Sequence, residues 1–117
     1  MKKLSLLSIE KGEALCITFA KRQEFFAYFH DLFLSLGFDE SNAFFRRFGM
    51  HVNDKKSNRK PARISAYVDK FESGRAKGIE VDIFYGHKNV QVLFKTSREK
   101  QEKILTEIRK FADWPKR

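Results

Sequence analysis

The sequence predicts an α+β fold in a single domain spanning residues 1–117. The expected form is an antiparallel sheet, an N-terminal hairpin plus a three-strand meander, with helices on one face in the order β-β-α-α-β-β-β-α. Three observations predict it. Two short apolar runs flank a Gly-containing turn near the N-terminus. Apolar residues then recur at helical spacing, and beyond Pro61 the period changes to two. At 117 residues with 42% apolar content, the chain suffices for one core and is too short for two.

Residues 4–9 (LSLLSI) and 14–20 (ALCITFA) flank Glu10-Lys11-Gly12-Glu13 and read as a β-hairpin with Gly12 in its turn. Phe25, Phe29, Leu32, Phe33 and Leu36 follow at i, i+4, i+7, i+8 and i+11, which is one face of an amphipathic helix. Glu24, Ala27 and Asp31 lie opposite, and Gly37 supplies the stop. Asp39 is the expected N-cap of a shorter second helix carrying Phe44, Phe45 and Phe48 and ended by Gly49.

Residues 50–62 are polar and basic without an apolar period, so they read as an exposed loop. Ile64, Ala66 and Val68 then alternate with polar residues, and Ser73-Gly74 and Gly78 bracket a turn. Ile79, Val81, Ile83 and Tyr85 alternate next. After a turn at 86–89, Val90, Val92 and Phe94 complete a meander. Thr96 or Ser97 caps a final helix with Ile104, Leu105, Ile108 and Phe111 on its apolar side, and Pro115 lies just past its end.

Phenylalanine is over-represented, with 13 residues, nine of them between Phe19 and Phe48. Rings at those positions predict a core built from few, large side chains; the competing reading is an exposed aromatic platform. Cys16, the single cysteine, excludes an intrachain disulfide and reads as a buried thiol. Glu10, Lys11 and Glu13 interrupt the N-terminal apolar run too early for a signal peptide. No stretch is long enough to span a bilayer, so a soluble intracellular protein is expected, cytoplasmic or, in a eukaryote, nuclear.

Charge carries the functional signal. Residues 41–75 hold nine Lys and Arg against three Asp and Glu, a net +6 of the chain's +9. Such a local field attracts polyanions, because each neutralised phosphate releases condensed counterions. The candidate nucleic-acid-binding residues are Arg46, Arg47, Lys55, Lys56, Arg59, Lys60 and Arg63, with Arg75 and Lys77 in the next turn extending the surface. Asn and Ser between them can donate to phosphate oxygens. Arg98, Lys100 and Lys103 open the final helix, but Glu99 and Glu102 dilute them, and they read as a solvated face. The run 55–60 (KKSNRK) also has the composition of a nuclear localisation signal.

Catalytic and metal patterns are missing. His30, His51 and His87 occupy no zinc-ligand spacing and the glycines form no phosphate-cradling loop, so no cofactor, metal or catalytic residue is expected. The stretch from Val81-Asp82-Ile83 to Phe94-Lys95 resembles the core of PD-(D/E)xK nucleases. There an Asp on one strand, with an acid two residues before a Lys on the next, holds a divalent cation. Asp82 and Lys95 match that pattern, and Leu93 stands where the second acid belongs. The order of residues 22–113, helix, three strands, helix, is similar to double-stranded RNA-binding domains and to the small Alu-domain subunits of the signal recognition particle. This is a likeness of topology alone. The sequence therefore predicts a small non-enzymatic protein that contacts the phosphate backbone of DNA or RNA and has no membrane association. The alternative is an interaction adaptor docking through its Phe-rich helices or a sheet edge, with a defective nuclease fold more remote.

Overall fold

The computed structural model describes residues 4–56, 70–86 and 88–112, with the side chains of 51, 53–56 and 70–72 left aside. Five strands are described: β1 (Leu6–Glu10), β2 (Leu15–Phe19), β3 (Lys70–Ala76), β4 (Ile79–Tyr85) and β5 (Val90–Lys95). They form one antiparallel sheet in the order β1-β2-β5-β4-β3, so the hairpin joins the meander along β5. Three helices accompany them: α1 (Arg22–Ser35), α2 (Ala43–Lys56) and α3 (Arg98–Ile108). The predicted α+β order is the observed one.

Alternation decides which sheet face is covered. Leu15, Ile17 and Phe19 of β2, Val90, Val92 and Phe94 of β5, and Ile79, Val81, Ile83 and Tyr85 of β4 are all buried. Register sets them side by side in rows such as Leu15–Phe94–Val81. The other face carries Cys16, Gln91, Leu93, Lys95, Glu80, Asp82 and Phe84, which are exposed or half-buried. Leu7 sits at a bulge in β1, which lets both Leu6 and Ile9 face the core side.

Helix α1 buries Phe25, Phe26, Phe29, Leu32 and Phe33 against this sheet. Its end has the geometry that Gly37 promised: φ is 104°, and Phe38 N–H donates to Phe33 C=O at 3.0 Å. Phe29 lies at the centre of a ring cluster, with centroids 4.5 Å from Phe33, 4.8 Å from Phe48 and 5.6 Å from Phe45. The Phe-packed core is thus the observed state. At the other end of the chain, Ser97 caps α3, its hydroxyl accepting from Lys100 N–H at 3.3 Å.

Five expectations need correction. Cys16 is half-buried rather than buried, because alternation along β2 turns Leu15, Ile17 and Phe19 inward and leaves the thiol on the opposite face. Asn42 caps α2, not Asp39: Asn42 Oδ1 accepts from Phe45 N–H at 3.0 Å. Asp39 instead accepts from the Ser41 N–H and hydroxyl in a local turn. Helix α2 does not end at Gly49 but runs to Lys56, so 50–56 of the predicted loop is helical and the remainder, 57–62, lies outside the described residues. The reason is Val52, buried one turn beyond Phe48, which carries the apolar stripe past a glycine where nothing crowds the backbone.

The strand expected at 64–68 also lies outside the described residues. What pairs with β4 is Lys70–Ala76, passing straight through Ser73-Gly74, and the turn is only Lys77-Gly78. Gly74 is needed there for space, because a methyl on it would overlap the Phe44 ring. Finally, α3 closes at Ile108 and Phe111 falls in the following turn.

Candidate nucleic-acid interface

Helix α2 sorts its residues by the helical period. Phe44, Phe45, Phe48 and Val52 are buried, while Arg46, Arg47 and Met50 face solvent, Met50 with 71% of its surface exposed. The start of the helix is fixed to β3 by two contacts. Phe44 sits on β3 at Gly74, and Asn42 Nδ2 donates to the Arg75 carbonyl at 2.8 Å. Arg46 is oriented by its own loop, with Nη1 donating to the Glu40 carbonyl at 2.7 Å. A carbonyl leaves the guanidinium charge uncompensated, so Arg46 remains available to an anion.

The other candidates separate into groups. Lys55 and Lys56 belong to the last turn of α2, and Arg59, Lys60 and Arg63 lie outside the described residues. Arg75, at the end of β3, pairs with Glu80 at 2.6 Å. That bond holds the Glu80 carboxyl below its usual pKa and raises that of Arg75, which makes Arg75 a weaker phosphate contact than its position suggests. Lys77 is exposed in the β3–β4 turn beside Asp39. The Asp39 carboxyl is held below its usual pKa by the Ser41 hydroxyl and N–H, with Lys77 acting in the same direction.

In the sequence, Lys100 and Lys103 belong to a solvated helix face. The fold brings them to the β3–β4 turn, where Lys100 Nζ donates to the Lys77 carbonyl at 2.9 Å. No local pattern couples residue 77 to residue 100; the glycine following Lys77 is the one hint. Arg98 goes elsewhere and donates to the Gly12 carbonyl at 3.0 Å, where Gln101 Nε2 joins it at the same distance.

On the sheet face opposite the core, Asp82 and Lys95 of the nuclease-like pattern do meet, at 2.8 Å. Leu93 is directly opposite Asp82 and supplies no oxygen. Among the described residues, no group of three His, Cys, Asp or Glu is placed to hold a metal ion. No described helix is long and apolar enough to cross a membrane.

Comparison with known proteins adds nothing to this geometry: no protein-family model, curated protein or solved structure matches the chain.

Proposed function

We propose that this protein binds nucleic acid through its phosphate backbone, without reading bases and without an enzymatic step. The observation that supports the reading is the concentration of charge: a net +6 within 41–75, with Arg46 and Arg47 held on the solvent side of a helix whose opposite side is buried. Cations fixed on a packed helix lose little freedom on meeting a phosphate, and each contact releases counterions.

The test is an electrophoretic shift series with single- and double-stranded DNA and RNA over a range of salt. The logarithm of affinity should fall linearly against the logarithm of salt, with about one unit of slope per phosphate contacted on duplex. Charge reversal at Arg46 and Arg47 should weaken binding to all sequences alike. No binding of any form at low salt would end this reading.

A second reading, docking to a protein partner, is favoured by the sheet face opposite the core, where, among the described residues, Phe84 is 38% exposed on the same side as the Asp82–Lys95 pair. The Phe rings of α1 and α2 are buried, so docking through the helices themselves is not supported. Binding that ignores salt, with a protein captured on the Phe84 face, would favour this second reading.

A further inference from the structure

Among the described residues, Lys77 is the one non-glycine with positive φ, at 51°, and Gly78 follows at 80°. Two successive positive values make the tight hairpin turn that matches strand twist, a place usually taken by Asn, Asp or Gly. A lysine there carries a backbone cost of roughly 1 kcal/mol or more. The turn is held by two bonds from the neighbouring segment that leads from β5 into α3. Thr96 Oγ1 donates to the Gly78 carbonyl at 2.9 Å and Lys100 Nζ to the Lys77 carbonyl at 2.9 Å. A side chain on Gly78 would run into that ammonium.

Lys100 is therefore anchored, with two N–H donors left over. The Lys77 stem lies along the end of α1, where a methyl on Gly37 would come within 3.3 Å of Cδ. Between these elements runs an open groove of about 510 Å³. Leu36, Ile79 and Ile104 form its apolar floor, and Lys77, Lys100 and Lys103 stand around it. Lys103 makes no ion pair or side-chain hydrogen bond among the described residues. The acid that also lines the groove, Glu107, is bound to Lys110 at 3.1 Å.

A sugar–phosphate backbone alternates anionic oxygens with largely apolar sugar faces, and this groove offers the complement of both. We infer that it is a second phosphate-binding track for the nucleic acid that α2 contacts, an inference that rests on the nucleic-acid reading above. Phosphates meet Lys77, Lys100 and Lys103 while sugar faces lie over Leu36, Ile79 and Ile104. Lys77 also acts on the Asp39 carboxylate, and Arg46 is bonded to the carbonyl of the next residue, Glu40.

Binding of a labelled 20-base-pair duplex to the full chain, followed by fluorescence anisotropy over a salt series, tests the track. Lys103→Gln should make the log–log salt slope shallower by about one, and the triple Lys77→Gln, Lys100→Gln, Lys103→Gln variant by about three. Lys103→Arg should keep the wild-type slope. Because Lys103 anchors nothing, the single variant keeps the test valid even if the triple variant loosens the turn. Wild-type binding with an unchanged slope in Lys103→Gln overturns the groove alone. A Lys103→Arg variant as impaired as Lys103→Gln also overturns it, since charge would not be what matters. Failure of the wild type to bind at low salt overturns the nucleic-acid reading and the groove with it.

Discussion

Gly74→Ala tests the contact that sets α2, and with it Arg46 and Arg47, against the sheet. The added methyl would lie 2.5 Å from Phe44 Cβ and closer still to two ring carbons, whereas carbon atoms pack at about 3.5–4.0 Å. Phe44 would have to withdraw by about 1 Å or more. Its ring is 4% exposed and lies between Phe38 at 5.7 Å, Phe48 at 5.9 Å and Phe33 at 6.1 Å, so there is no empty space to receive it. Overpacking of this kind costs about 1–3 kcal/mol. Gly74 lacks a positive φ, so alanine fits the backbone and recovers part of that, roughly 0.4–1 kcal/mol, through the unfolded chain. The net expectation is a loss of about 1–2 kcal/mol. For 117 residues this lowers the melting temperature by about 4–8 °C, read by circular dichroism or calorimetry. In a Phe44→Leu background the same substitution should cost less, because the smaller side chain can yield. A Gly74→Ala protein that melts at or above the wild-type temperature would refute the seat of Phe44 on β3, and with it the placement of α2.

Gly49→Ala should have the opposite sign: nothing lies within 4 Å of an added methyl, so the protein should gain about 0.5–1 kcal/mol in a chemical-denaturation midpoint. Phe29→Ala should cost about 3–5 kcal/mol, a large share of a domain's stability, and show as a marked fall in the melting temperature. Burial, with Glu10 adding its charge, raises the Cys16 thiol pKa, so alkylation of the folded protein should reach half its maximal rate at a higher pH than in urea. The sign for stability follows: the unfolded thiol ionises first, so this contribution falls as pH rises from the unfolded pKa toward the folded one. Asp82→Ala should cost no more than about 1 kcal/mol, because its partner Lys95 is half exposed.

Much of the architecture was legible because it is written in local period. Alternation marked β2, β4 and β5, whose inward residues are buried as a set, and the stripe from Phe25 to Leu36 marked α1 together with its glycine stop. The charge maximum was equally plain, and it named Arg46, Arg47, Arg75 and Lys77 before any fold was in view. Errors arose where a residue type has two physical uses. Ser73-Gly74 has the composition of a turn, yet Gly74 lies within a strand because a ring from α2 needs the space. Gly49 looks like a helix stop, yet the burial of Val52 outweighs the roughly 1 kcal/mol that a glycine costs inside a helix.

The sequence by itself determined the element order, the Phe-built core and the location of excess charge, since each depends on neighbours along the chain. Tertiary structure alone decided that the hairpin joins the meander at β5, that Gly74 lies in a strand under the Phe44 ring, and that Lys100 meets the Lys77 carbonyl. Those outcomes depend on pairs tens of residues apart. Local period states which face an element must bury, but only the closed fold determines what that face meets.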